Sequence, residues 1–404
     1  MKRFYLVTLV LLLLLTGCGK TVVQDTNINQ EVENTITPTD KPTETPTPSP
    51  TETPTPTPEP EPVTYSVDLL AVGDNLYHST VYKKGLVDGK YNFDFVYENV
   101  KKLIGAYDIS VINQETVFVT DYSDVSSYPC FGTPSECGDA LINAGFDVVL
   151  GATNHSYDKR EKGVLSTVEY WRNHPEITFV GMYDNEVDFK EVTIVEQNNI
   201  KIAMLNYTYG LNGFVIPEDK YYYVDTLYDK EKIQKDLEYA ELNADITIVF
   251  PHWGTEYVYD ETQNQKDWAE FFTEYGADII IGSHPHVVEP VKQITSANGN
   301  TSICYYSLGN FVSGQDKKPR VLGGIATIGI EKVMLEDEVI SVEVTYNDFI
   351  PCVTHYNSGE HTIYLLEEYT DELAAKSKLQ ADTTYLWNLW NGINSSSYIN
   401  KKAE

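Results

Sequence analysis

Five short apolar runs in this chain each lead into a polar side chain able to bind a metal or move a proton. Residues 67–72 run into Gly73-Asp74, and 108–112 into Asn113-Gln114-Glu115. Residues 146–150 lead to Thr153-Asn154-His155-Ser156-Tyr157-Asp158, 244–250 to His252-Trp253-Gly254, and 278–281 to Gly282-Ser283-His284-Pro285-His286. Short apolar runs alternating with helical patterns over 137–144, 161–173 and 264–275 predict an α/β fold with a largely buried sheet. In such sheets ligands bind beyond the carboxyl ends of the strands. Four of the eight histidines fall in these five loops, so the sheet is building a site at that edge.

The remaining pattern is coarser. Residues 95–104 carry apolar residues at helical spacing, 177–180 form a strand, and 191–206 form a hairpin turning at Asn198-Asn199. Past residue 300 the pattern changes to consecutive strands at 302–306, 321–332, 338–346 and 349–355, which implies a second sheet or strands added to the first. From about residue 366 the chain is helical, then rich in Trp, Tyr, Asn and Ser.

Imidazole, carboxylate and amide oxygen without thiolate suit Mn, Zn or Fe. The set Asp74, Glu115, Asn154, His252, His284 and His286 is therefore expected to bind one or two divalent ions. Pro285 biases His284 toward extended backbone, and an extended His-x-His pair sets both rings on one side of the chain. Two such rings serve two ions, with a carboxylate such as Glu115 placed to bridge them. Taken singly, each residue has a plainer reading. His155 is a turn histidine, Asp74 a cap, Glu115 a surface carboxylate, His252 a core neighbour of Trp253, and the His284 and His286 pair ordinary loop residues. Their occurrence in order at successive strand ends outweighs those readings. Asp158 stays open between catalysis and support of His155, and Asn310 between backbone capping and substrate contact. His78, four residues past Asp74, reads as structural, and His174, His355 and His361 join no constellation. No Gly-x-Ser-x-Gly sequence exists, which disfavours a serine hydrolase.

Gly73-Asp74, Asn113-x-Glu115, Asn154-His155-x-x-Asp158, His252-Trp253-Gly254, Gly282-x-His284-Pro285-His286 and Ser307-Leu308-Gly309-Asn310-Phe311 together resemble the ordered motifs of the CapA family of capsule and poly-γ-glutamate synthesis. That family is similar to the calcineurin-like metallophosphatases. The resemblance spans roughly residues 65–315 and implies a four-layer α/β/β/α sandwich with a dimetal centre. It implies Asp74 and His286 as ligands of a first ion, Glu115 as the bridge, and Asn154, His252 and His284 as ligands of a second. It also implies His155 as general acid. Two departures stand out. Leu76 occupies the place where the phosphatase pattern has a histidine, and Asn-Gln-Glu replaces Gly-Asp in the second motif. The first ion's site is one imidazole short.

The rest of the chain sets the context. Lys2 and Arg3 precede an apolar run from Phe4 to Leu15, too short to span a bilayer, then Leu15-Thr16-Gly17-Cys18. Residues 1–18 thus resemble a lipoprotein signal peptide, with Cys18 lipidated. Ten of the nineteen prolines lie between Pro38 and Pro62, so 19–62 is expected to be an extended, solvated Pro/Thr/Glu stalk without a core. Residues 63–365 form the main domain and 366–404 a C-terminal extension. A formal charge of −31 argues against nucleic-acid binding, whereas bound cations let an acidic protein work on an anionic substrate. Cys130 and Cys137, in a loop-like stretch of an exported protein, are expected to form a local disulfide. The expected partners are the membrane, through the lipid on its extracytoplasmic face, an anionic capsule-type polymer or a phosphoester, and a membrane polymer synthase complex. The expected function is metal-dependent hydrolysis of a phosphoester or polymer amide bond. The alternative is a non-catalytic assembly or export factor that keeps the site for binding. A plain solute-binding lipoprotein would not need this ligand set.

Overall fold

The computed structural model describes residues 60–402. The signal segment, Cys18 and nearly all of the 19–62 stalk lie outside the described residues. In chain order the strands of the two main sheets are β1 (Val63–Asn75), β2 (Ile109–Gln114), β3 (Val148–Leu150), β4 (Thr178–Val180), β5 (Thr193–Gln197), β6 (Ile200–Thr208) and β7 (Ile246–His252). They continue with β8 (Ile279–Ile281), β9 (Val291–Thr295), β10 (Thr301–Tyr305), β11 (Asn310–Val312), β12 (Leu322–Leu335), β13 (Glu338–Tyr356) and β14 (His361–Leu365). The first sheet has the order β14-β13-β12-β1-β2-β3-β4, with β11 paired to the end of β1, and the second has β9-β10-β8-β7-β6-β5. Strands β1 to β4 run parallel, as do β6, β7, β8 and β10.

Strand alternation assigns the layers. Leu69, Ala71, Ile109 and Val111 of the first sheet share one core with Ile202, Met204, Ile248 and Phe250 of the second. The intervening residues face the other way. Leu70, Val72, Ile112 and Val149 pack under the helix Glu136–Ala144 and Trp171 of the helix Arg160–Arg172. Leu205, Val249 and Ile280 pack under the helices Lys230–Asn243 and Gln263–Glu274. Helix, sheet, sheet, helix is the four-layer α/β/β/α sandwich the resemblance implied, and the central parallel strands β2, β3, β7 and β8 are buried on both faces because a helical layer covers each outer side.

Several expectations shift. Residues 95–104 form a short 3-10 turn (Asp94–Val96) and a single helical turn (Lys101–Ile104), although Val96, Val100 and Ile104 still point inward. The two strands expected at 338–346 and 349–355 are one strand, β13. Its register against β12 slips between Gly329 and Ile330, so Thr345 is the extra residue of a bulge. Strands beyond residue 300 extend both sheets rather than building a separate one. The 191–206 hairpin turns at Asn198 and Asn199, both left-handed (φ 49° and 61°).

Cys130 and Cys137 are both free thiols, which overturns the expected disulfide. Cys137 opens the Glu136–Ala144 helix facing inward, with its sulfur 3.7 Å from Asn75 Nδ2 and 3.6 Å from Gln114 Oε1. Burial pushes its thiol up to about 12. Cys304 and Cys352 are also buried free thiols. The extension folds as two helices, Asp371–Lys376 and Thr383–Asn394. It belongs to the same core as the sheets, since Leu386 and Trp390 join the inter-sheet cluster and the Trp390 ring lies 4.8 Å from that of Phe349. Among the described residues no helix is long and apolar enough to cross a membrane.

Candidate metal centre

The parallel strands of both sheets end at one edge, and the polar residues singled out in the sequence meet there. Asp74 ends β1 beside Asn113 of β2, and its other register neighbour is Asn310 of β11. His252 ends β7 beside Ser283, which follows β8. Two glycines let these backbones close. A Cβ at Gly73 would lie 2.0 Å from Gly309 O, and one at Gly282 would lie 2.0 Å from Tyr306 O and 2.4 Å from Trp253 Nε1.

Glu115 sits where the loops converge. It is fully buried, and neither carboxylate oxygen has a hydrogen-bond partner. Its Oε1 lies 3.7 Å from His286 Nε2, 3.8 Å from His252 Nε2 and 4.0 Å from His155 Nε2. These distances are too long for hydrogen bonds. The first two are the spacing of groups that share an ion, since two ligands at about 2.0–2.2 Å from one ion sit roughly 3–4 Å apart. Ligand atoms of Glu115, His284 and His286 all lie within 4.8 Å of one another. His284 Nδ1 is likewise buried without a partner. Buried polar groups are nearly always satisfied, by protein, water or an ion, so this donor set fits a divalent cation.

The neighbours orient the imidazoles. His252 Nδ1 is 2.9 Å from Ser283 Oγ, which turns Nε2 toward Asn154 Oδ1 at 2.9 Å. His286 Nδ1 lies 2.9 Å from Asp74 Oδ2 and 3.1 Å from Asn310 Oδ1, leaving Nε2 toward Glu115. The other oxygen of Asp74 accepts from Asn113 Nδ2 (2.9 Å) and from the His284 backbone N–H (3.2 Å). Asp74 therefore braces the two-histidine loop, and both of its oxygens are engaged. A carboxylate behind a ligating imidazole fixes its tautomer and raises its basicity.

His284 and His286 are not extended, contrary to the sequence expectation. Their φ angles are 99° and 58°. The loop turns tightly because Asp74 holds the His284 N–H and Pro285 O accepts from Tyr257 N (2.8 Å), overriding the local bias from proline. The rings still converge, with centroids 5.8 Å apart and His284 4.9 Å from His252.

Electrostatics follow burial and mutual proximity. Burial, then the neighbouring imidazoles, push His252 and His284 well below the usual histidine range, which keeps both neutral and ready to bind a cation. For His286, burial opposes the charged form, but Glu115 and Asp74 outweigh it and hold the ring up at about 9. Burial pushes Glu115 well above the usual carboxylate range, His286 opposes this, and Asp74 and Glu256 add to it.

His155 stands at the side of the centre. Its Nδ1 lies 2.6 Å from Asp158 Oδ2, which also accepts from Phe131 N at 2.7 Å. Asp158 thus aims the ring so that Nε2 faces Glu115. His78 is outside the ligand cluster and accepts from Gly314 N at 3.2 Å; burial first, then His286 and His155, push its ring down to about 4. Leu76, at the departure from the phosphatase pattern, is buried and supplies no donor. Sequence reasoning placed Asn113 and Ser283 at the strand ends without giving either a role, and it missed the loop after β6 as part of the site. In that loop Tyr209 packs 4.5 Å from His284, and Asn212 Nδ2 lies 3.2 Å from His155 Nδ1. The signal was the end of β6, a sixth strand end at the same edge.

Comparison with known proteins agrees with the motifs. Residues 68–315 match the family described as "Bacterial capsule synthesis protein PGA_cap". The chain is 29% identical over 267 residues to the "PGA biosynthesis protein CapA" of Bacillus subtilis, covering 62% of this chain and 65% of that protein. It is 28% identical over 235 residues to the "Capsule biosynthesis protein CapA" of Bacillus anthracis, covering 56% and 55%. The matched stretch thus spans less than two thirds of either relative. Among solved structures, the NAD nucleotidase of Haemophilus influenzae overlaps 84% of this chain and 58% of its own, at 10% identity and a TM-score of 0.44. The chain belongs to the bacterial capsule synthesis protein PGA_cap family.

Proposed function

We propose that this protein is a surface-anchored, metal-dependent hydrolase of capsule biosynthesis, acting on a phosphoester or on an amide bond of the polymer. The observation that carries the reading is Glu115, a buried carboxylate with two unpartnered oxygens and three imidazole nitrogens within 4.0 Å. Glu115, His284 and His286 would hold one ion, His252 and Asn154 would complete or extend the site, and Asp74 would hold the His284–His286 loop. A bound divalent ion would polarise the scissile group and lower the pKa of water toward about 7. His155, aimed by Asp158, would hand a proton to the leaving group. Trp253, stacked between Phe272 and Tyr306, closes the floor behind His252 and keeps bulk water from that side.

The test is hydrolysis of a generic phosphodiester and of γ-linked glutamate oligomers by the purified metal-loaded chain and its His155→Ala variant. Loss of a positioned general acid is expected to lower kcat by about 10²–10⁴-fold, with the metal content unchanged. Equal rates in both proteins would remove His155 from the mechanism, and no turnover of either substrate class by the metal-loaded wild type would favour the second reading.

That second reading is a non-catalytic assembly or export factor, supported by Leu76 in place of an expected imidazole ligand. It predicts that ligand-site variants restore capsule to a deletion strain. The N-terminal sequence supports anchoring through Cys18, so Cys18→Ser should move the protein from membranes to the soluble exported fraction. Work on a nascent polymer beside a membrane synthase complex fits such an anchor, and copurification with that complex tests it.

A further inference from the structure

The second motif departs from the phosphatase pattern by carrying Asn113-Gln114-Glu115, and its middle residue has no part in the ligand cluster. On their helix-covered face β1 and β2 carry Leu70, Val72 and Ile112, then end in two buried amides, Asn75 and Gln114, set opposite one another. The register slips by one residue between Val72 and Asp74. That slip turns Asp74 and Asn113 toward the site, and Asn75 and Gln114 toward Cys137 of the Glu136–Ala144 helix.

An amide buried under a helix is costly unless its groups are bonded, and here they are. Gln114 Nε2 donates to Thr116 O at 2.8 Å and to Thr116 Oγ1 at 2.9 Å. A backbone carbonyl only accepts, so Thr116 O fixes which way round the Gln114 amide lies. Gln114 Oε1 therefore accepts, from Asn75 Nδ2 at 2.6 Å and from the Cys137 thiol at 3.6 Å. Asn75 Oδ1 in turn accepts from Tyr97 OH at 2.8 Å. The site face is the reverse, since Asn113 Oδ1, both oxygens of Glu115 and His284 Nδ1 are buried without partners. No bond to the Glu115 carboxylate holds it, so its position comes from its backbone. Glu115 N donates to Asn75 O at 3.3 Å, and Glu115 O accepts from Thr153 Oγ1 at 2.7 Å. Gln114 ties the residue before Glu115 to the residue after it, and Thr133 Oγ1 holds Thr116 from the far side at 2.6 Å. Plain satisfaction of two strand ends accounts for the Asn75–Gln114 bond. It does not account for the pair of bonds that loop past Glu115 and close the backbone around it.

We propose that Gln114 is a positioning residue for the metal: its side-chain amide, looped back onto Thr116, sets the backbone that aims the Glu115 carboxylate at the imidazoles before an ion arrives. This rests on the metal-centre reading and names what organises its central ligand. A ligand held in place beforehand loses little freedom when the ion binds. Loosening Glu115 therefore weakens metal binding beyond any effect on the fold.

The experiment measures Mn(II) affinity of the full chain by competition titration, with the visible spectrum of the Co(II)-loaded protein and a melting curve on the same samples. Q114M keeps the length of the side chain and removes its bonds. It is expected to bind Mn(II) about 10–100-fold more weakly, the range for partners that orient a ligand. It should also shift the Co(II) bands, which follow ligand geometry. T116V deletes one of the two looping bonds and should give a smaller loss in the same direction; it carries the test if Q114M does not fold. Y97F breaks the far end of the same chain of bonds. It should lower the melting temperature while affinity and spectrum stay as in wild type. Unchanged affinity in Q114M and T116V, or a loss in Y97F as large as in Q114M, would make the network purely structural and overturn the proposal. A wild type that binds neither Mn(II) nor Co(II) would overturn the metal-centre reading, and the proposal with it.

Discussion

At the residue scale, Glu115 is the hardest group to explain without an ion. A buried carboxylate with no hydrogen-bond partner is costly, and three imidazoles held just beyond hydrogen-bond reach do not relieve it. The supporting residues make this checkable. Ser283→Ala removes the partner of His252 Nδ1 and should cost about 10–100-fold in metal affinity while the protein stays folded, because such partners set the ligand's tautomer; a competition titration measures it. A second buried carboxylate lies away from the ligands. Glu289 has one oxygen on Gln265 Nε2 at 2.6 Å and one without a partner, and burial pushes it up to about 8. Its folded value lies above its ordinary one, so its contribution to stability is complete below about pH 4.5 and is lost as pH rises through about 8. Glu289→Gln should flatten that part of the stability–pH curve in denaturant titrations across pH 5–9; a wild-type curve with no decline there would count against the assignment.

At the element scale, the strands that carry the site were legible in the sequence because each combines an apolar run with a polar terminus, and both features are local. The helix Lys230–Asn243 was not read, since half of its residues are charged and only Ile233, Leu237 and Ala240, with Asp236, are buried. The bend of the His284–His286 loop was hidden because it depends on Asp74, 210 positions earlier. The Cys130–Cys137 disulfide failed for a related reason. Spacing allowed it, but the helix that begins at Glu136 turns Cys137 into the core. Gly282 tests the close approach of β8 and the Tyr306 segment. Gly282→Ala drives a Cβ against backbone and the Trp253 indole, which should cost about 1–3 kcal/mol in thermal unfolding and displace His284. A variant as stable as wild type with full metal affinity would show that the backbones have slack.

At the scale of the whole molecule, two sheets share one core, and the candidate metal centre straddles their common edge. Glu115 and Asn154 come from the first sheet, and His252, His284 and His286 from the second. Metal binding should therefore stabilise the whole sandwich, by about 2.7 kcal/mol at a hundredfold excess over Kd. The C-terminal extension was legible as helical, but not as part of the core, because its partners lie on β13 and become neighbours only in the fold. Trp390→Ala should cost about 3 kcal/mol and lower the single unfolding transition; an unchanged melting temperature would mean that the extension is a mere appendage. The central claim is that Glu115 and the histidines hold a divalent ion. Elemental analysis of the full chain, after loading with Mn, Zn or Fe and desalting, tests it most directly beside Glu115→Gln and His284→Ala. One or two ions per wild-type chain are expected, with a marked loss in both variants. A wild type that emerges without any of the three metals, or variants that keep as much as wild type, would contradict it.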